Sequence, residues 1–125
     1  MTDFRNDKAI YLQMADGICD DILSGRYGAG ERIPSVREQS ETLQVNTNTV
    51  VRAYDNLTRL GIIYTKRGMG YFVSEYARTC ILENRRKAFM EEKLPELFRQ
   101  MKLLDIPIET VDGLWEKFEQ KNPKG

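Results

Sequence analysis

The chain has 125 residues, enough for one domain or for one small domain with an appendage. With 41% hydrophobic and 30% charged residues its composition is that of an ordinary globular protein, and no apolar run nears the roughly 18 residues a membrane span needs. Basic and acidic side chains number 19 each, so the net charge is zero, which speaks against a uniformly basic nucleic-acid binder and leaves any such surface to a local patch.

Cys19 and Cys80 are the only cysteines, and there is no histidine. Two isolated thiols make a poor zinc site and have no imidazole to activate them, so buried free thiols are expected, with no metal and no cofactor. Residues 1–7 are polar and read as loose. They show no apolar core after a basic start, so no signal peptide is expected and the cytoplasm is the expected location.

From Lys8 to Ser24, Ile10, Met14, Ile18 and Ile22 recur at steps of four, flanked by Ala15 and Leu23. This spacing predicts an amphipathic helix. Gly25 ends it, and Arg26 to Gly30 form a glycine-rich turn. That turn lacks the lysine and hydroxyl of a phosphate loop.

Pro34 then precedes Ser35-Val36-Arg37-Glu38, a capping-box pattern in which Ser35 caps and Glu38 reaches back. Val36, Ser40 and Leu43 give this short helix a thin inward stripe. Gln44-Val45-Asn46 breaks the pattern, and Asn46 is a good cap for a second helix from Thr47 to Leu60. Val50, Ala53, Tyr54, Leu57 and Leu60 share its inner face; Asn48, Arg52, Asp55 and Arg59 lie opposite. Gly61 stops it. Ile62 to Thr65 and Tyr71 to Val73 are β-branched and aromatic, joined by Lys66-Arg67-Gly68-Met69-Gly70, which reads as a hairpin with a basic tip.

Two helices across a short turn, the second polar at its start, form a helix-turn-helix pattern, whose second helix enters the major groove. Between Asn46 and Gly70, four cations face one carboxylate. An ordinary helical corner packed on a hairpin is the plain alternative.

After Val73 the character changes. From Glu75 to Asp105 there is no glycine, and Tyr76, Ile81, Leu82, Phe89, Leu94, Leu97, Phe98, Met101 and Leu104 form a long, imperfect apolar stripe. Pro95 interrupts it, so one kinked helix is expected, or two that meet near Leu94. Thirty helical residues span roughly 45 Å, too long to bury such a stripe against so small a domain. Ile106-Pro107-Ile108 makes a turn. Glu109 to Gln120 reads as a last helix with Val111, Leu114, Trp115 and Phe118 on one face, and Lys121 to Gly125 as a frayed end.

The pieces Glu31 to Glu38, Val45-Asn46, Asn48-Thr49-Val50, Arg52-Ala53-Tyr54, Leu57, Gly61 to Tyr64 and Arg67-Gly68-x-Gly70-Tyr71-Phe72-Val73 occur in one order and spacing. Together with the first helix, residues 8 to 75 resemble the DNA-binding domain of the GntR family of bacterial transcription regulators. The resemblance implies a mostly α fold with a small β-hairpin: a winged helix-turn-helix over residues 1–75, followed by a helical dimerisation tail over residues 76–125. A tail this short looks like the YtrA-type branch, whose members are dimeric repressors, often of ABC transporter operons. It is too short for the larger ligand-binding or aminotransferase-like domains of other branches.

The resemblance also implies site residues. Ser35 and Arg37 match positions that hold a phosphate or base edge. Thr47, Asn48, Thr49 and Val51 lie at the start of the recognition helix, with Arg52 the nearest cation on its exposed face. Arg67 and Gly68 match the wing tip, which approaches the minor groove, and Tyr64 and Lys66 support phosphate contacts. Many members carry arginine where this chain has Thr47 and Val51, and such arginines read guanine bidentately. Base readout here falls more on Asn48, Thr49 and Arg37. Gln39 and Ser40 stand where leucine and alanine are usual, which loosens that helix.

The partners expected are operator DNA and a second copy of the chain. Tyr76, Ile81, Leu82, Phe89, Leu94, Leu97, Phe98, Met101, Leu104, Leu114, Trp115 and Phe118 are the expected dimer contacts, since exposed apolar patches mark interfaces and two-fold symmetry is commonest. Folding the tail back on the winged unit is the alternative. No membrane partner is expected, and no effector pocket is readable. The competing function is a winged-helix protein-interaction module without specific DNA binding. An enzyme is a distant third, with neither a paired-carboxylate motif nor a cofactor loop.

Overall fold

The computed structural model describes residues 9–123. The expected loose N-terminus, the start of the first helix at Lys8 and the last two residues of the frayed end lie outside them. The chain divides into two compact units between Asn84 and Arg85.

The first unit opens with α1, Ile10–Leu23, which buries Ala15, Ile18, Cys19 and Ile22. At its end the amides of Gly25 and Arg26 bond the carbonyls of Ile22 and Asp21, so the last turn closes on itself. The capping box predicted for α2, Val36–Leu43, is present: the Glu38 amide donates to Ser35 Oγ at 3.1 Å, and the Ser35 amide donates to Glu38 Oε1 at 2.8 Å. The inward stripe expected of α2 is weaker than read, for no α2 residue is fully buried and Leu43 is half exposed. Its eight residues lie on the edge of the core.

Asn46 caps α3, Thr47–Arg59, with its side chain accepting from the Asn48 amide at 2.7 Å. Val50, Ala53, Tyr54 and Leu57 are completely buried; Leu60, expected on the same face, lies past the helix end and is 40% exposed. Gly61 follows with φ of +81°, where an L-residue would be strained, and the Gly61 and Ile62 amides close on the carbonyls of Thr58 and Leu57.

The hairpin is β1, Ile63–Lys66, paired antiparallel with β2, Gly70–Val73, so that Ile63 faces Val73 and Lys66 faces Gly70. Each strand takes in one residue expected in the connection. The segment before Pro34 adds to the other edge of β2: the Ile33 amide donates to the Tyr71 carbonyl, the Val73 amide to the Glu31 carbonyl, and the Gly30 amide to the Val73 carbonyl. The core between α1, α3 and this sheet is completed by Ile33, Ile62, Ile63, Val73, Ala77 and Ile81.

Ala77 and Ile81 belong to α4, Ala77–Ala88. Ile81 was expected to face a second copy, but it is 1% exposed within the first unit's core, and its methyls are already covered there.

In the second unit a π turn, Phe89–Lys93, leads into α5, Leu94–Leu103. Pro95 has no amide hydrogen to give the preceding turn, and the helix widens at that point: the Leu94 amide bonds the Phe89 carbonyl, five residues back. The break predicted near Leu94 is therefore present. Asp105, with φ of +57°, turns the chain, and α6 spans Ile108–Lys121. Met101 is buried, while Leu97, Phe98, Leu104, Leu114, Trp115 and Phe118 stay exposed; Trp115 and Phe118 stack with ring centroids 6.0 Å apart. Among the described residues, no helix is long and apolar enough to cross a membrane.

Candidate nucleic-acid interface

The candidate contacts come from three places on the first unit: the start of α2, the start of α3 and the tip of the hairpin.

At α2, the Ser35 hydroxyl oxygen accepts from the Glu38 amide as the helix cap, so Ser35 shapes the helix start. Its amide holds the Glu38 carboxyl below its usual range, because the charged form accepts that bond, with the Ser35 hydroxyl and the Arg32 guanidinium adding to the effect. Arg37 projects outward, paired only loosely with Glu41 at 3.7 Å. An exposed pair of this kind is weak and leaves the guanidinium available.

The turn into α3 carries a tie that the residue types did not advertise. Ser40, expected to loosen α2, donates to the Val45 carbonyl at 2.7 Å and lies 3.4 Å from the Thr47 hydroxyl. The hydroxyl thus braces the turn between the two helices.

Thr47 and Asn48 are exposed on the first turn of α3, with Thr49 partly buried and Val51 36% exposed. The amides of this turn and the positive end of the helix dipole point the same way, which suits phosphate. Arg52 is placed differently from a free cation: its guanidinium carbon sits 4.2 Å from the centroid of the Tyr11 ring on α1. That contact fixes the direction of the charge.

On the hairpin, Tyr64 stacks on Phe72 at 5.9 Å and the Lys66 ammonium lies 4.5 Å from the same ring. Arg67, Gly68 and Met69 form the tip, closed by a bond from the Met69 amide to the Lys66 carbonyl at 2.8 Å. Arg67 forms no ion pair among the described residues, so its charge faces outward uncompensated.

Two supporting residues were missed. Tyr54 was read only as apolar, yet its hydroxyl donates to the Pro34 carbonyl at 2.7 Å and its ring meets Tyr71 edge-on at 4.8 Å. Arg32, read only as part of a matching stretch, donates from Nε to the Met69 carbonyl at 3.1 Å. A tyrosine at an inner helical position was the available signal for the first. No local pattern signals the second, because 37 residues separate its partners.

A family model described as bacterial regulatory proteins, gntR family, matches residues 10–73. The HTH-type transcriptional repressor YtrA of Bacillus subtilis is 33% identical over 123 residues, which cover 98% of this chain and 93% of that protein. A transcriptional regulator of the GntR family from Bacteroides thetaiotaomicron has a crystal structure that matches with TM-score 0.81 at 44% identity, over 90% of this chain and 98% of that one. The DNA-binding domain of AraR, solved in complex with operator ORR3, matches 51% of this chain and 77% of that one, with TM-score 0.50 at 28% identity.

Proposed function

Since the chain belongs to the GntR family of bacterial regulatory proteins and is a DNA-binding transcriptional regulator, we propose that it is a homodimeric repressor that binds an inverted-repeat operator. The observation that carries this reading is that one compact unit holds both an exposed start of α3 and an exposed basic wing tip. Thr47, Asn48, Thr49 and Val51 face the major groove, and Arg37 and Arg52 add cations on either side. Arg67 and Gly68 reach toward the minor groove, supported by Tyr64 and Lys66. Ser35 acts by capping α2 and presenting Arg37.

The dimer is read from the second unit, where Leu97, Phe98, Leu104, Leu114, Trp115 and Phe118 are exposed on two helices. A single chain this small gains from covering such surface with a second copy. Tyr76, Leu82, Phe89 and Leu94 extend the candidate contact. Repression follows YtrA, the relative that carries that description. The first targets are its own operon and, by the short-tailed branch it resembles, ABC transporter genes. The DNA it reads places it in the cytoplasm.

The test is a gel shift with the DNA immediately upstream of its own gene, in excess nonspecific DNA, followed by footprinting. A discrete shift at nanomolar protein that protects an inverted repeat is the expected result. A dimer by light scattering that shifts neither this DNA nor selected random duplexes would favour the protein-interaction reading.

A further inference from the structure

We propose that Arg32 is a positioning residue that holds the wing tip at a fixed station beside the start of α2. The inference rests on the DNA-binding reading above, since it concerns two of the elements that carry candidate contacts.

The backbone of Arg32 is anchored first. It bridges Phe72 of β2, between the flanking bonds from Ile33 to Tyr71 and from Val73 to Glu31. From this docked segment the side chain runs along the hairpin. Its Nε donates to the Met69 carbonyl at 3.1 Å, inside the wing turn. Its Nη2 lies 3.8 Å from Glu38 Oε1, the same oxygen that accepts from the Ser35 amide at 2.8 Å. One guanidinium therefore touches both the wing turn and the capping box of α2.

The wing makes room for it. Gly70 has φ of +111°, and a Cβ there would lie 3.1 Å from Arg32 Nε. Glycine at this position thus serves the backbone turn and the passage of the guanidinium at once. The wing tip carries Arg67, and the start of α2 carries Arg37. Without Arg32, the three-residue tip of a two-stranded hairpin has no side-chain tie to the helices among the hydrogen bonds of the described residues. Arg32 reaches the DNA through the geometry it imposes on these two arginines.

Arg32→Ala and Arg32→Gln separate this role from a direct phosphate contact. Glutamine places an N–H donor at the chain position of Nε and removes the charge. Two readouts on the full chain are used: amide relaxation at Arg67 and Gly68 in the free protein, and affinity for the footprinted operator as a function of salt. In Arg32→Ala the wing-tip amides become more mobile, and affinity falls about three- to tenfold, the size of one hydrogen bond's net contribution. Arg32→Gln keeps the donor to Met69 and loses the reach to Glu38, so it recovers both readouts in part, and the salt slope stays at the parent value in both variants. Equal loss in the two variants, with the slope reduced by about 0.9, would make Arg32 a phosphate contact and overturn the proposal. Unchanged wing-tip relaxation in Arg32→Ala would overturn it as well, whatever the DNA does. If the parent binds no DNA while relaxation still responds as stated, the DNA-binding reading fails and the wing tie stands.

Discussion

The Tyr54 hydroxyl donates to the Pro34 carbonyl at 2.7 Å, from a ring with no exposed surface. The bond joins the middle of α3 to the residue that precedes the cap of α2. The entry of one helix is thereby set against the body of the other, and the start of α2 is where Ser35 and Arg37 sit. Tyr54→Phe keeps the ring and removes the donor. The expected loss is about 1 to 2 kcal/mol, because the Pro34 carbonyl is left without its partner. The thermal midpoint should fall by roughly 4–8 °C per kcal/mol for a unit of this size. Burial also pushes the Tyr54 hydroxyl above its usual value of 10.0. The folded state holds this proton more tightly than the unfolded chain, so stability is full below that value and declines as pH rises past it. An alkaline denaturation series should show a shallower decline for Tyr54→Phe than for the parent.

Glu38 gives the opposite sign. Its carboxyl is held low, chiefly by the Ser35 amide, then by the Ser35 hydroxyl. A lowered carboxylate contributes stability that is present above its unfolded value of 4.5 and is lost as pH falls through the lower folded value. Glu38→Gln keeps an acceptor for the Ser35 amide without the charge. The stability difference between parent and variant should therefore shrink as pH drops below 4.5, which urea melts at a series of pH values will read. A difference independent of pH would mean that the charge on Glu38 does not contribute.

The parts of this fold governed by neighbours in sequence could be read directly from residue types. Ser35 with Glu38, Asn46 before α3, and Gly61 after it each act within one or two turns. The break at Pro95 is local in the same sense, although the π form it takes was not foreseen. What escaped depends on elements that meet only after folding. Arg32 and Met69, Tyr54 and Pro34, and Arg52 and Tyr11 are tertiary pairs with no periodic signature. Ile81 lies on the same imperfect apolar stripe as the exposed residues that follow it, and no pattern along one helix tells which core will cover a given residue.

Arg37→Ala and Arg67→Ala should each weaken operator binding while leaving the fold intact, since both side chains project from the surface. A residue that touches phosphate lowers affinity uniformly across sequences and reduces the salt slope by about one. A residue that reads a base costs about 1–3 kcal/mol and relaxes preference at one position. Arg67 at the wing tip is expected to follow the first pattern and Arg37 the second, measured by titration against the operator and single-base variants of it. Parent-like binding by both would remove them from the interface.

Trp115→Glu combined with Phe118→Glu should convert the protein to a monomer by light scattering. Both rings are 57% exposed in the single chain, so helix content should be retained. Operator affinity should fall with the loss of the second half-site, because binding two linked sites gains from effective concentration. A dimer mass that survives the pair of substitutions would place the contact elsewhere on α4 or α5.

The segment from Gly30 to Ile33 has one more consequence, for what winged units cannot do to one another. β2 is paired on both flanks, with β1 on one side and Glu31 to Ile33 on the other. The sheet is thereby bounded on one side by β1, four residues long and ending in a lysine, and on the other by the short Glu31 to Ile33 segment. So short and charged a rim is a poor template for strand addition. Two copies placed on adjacent half-sites, as proposed above, would gain little from pairing their wings, which fits a contact made through the exposed apolar helices instead.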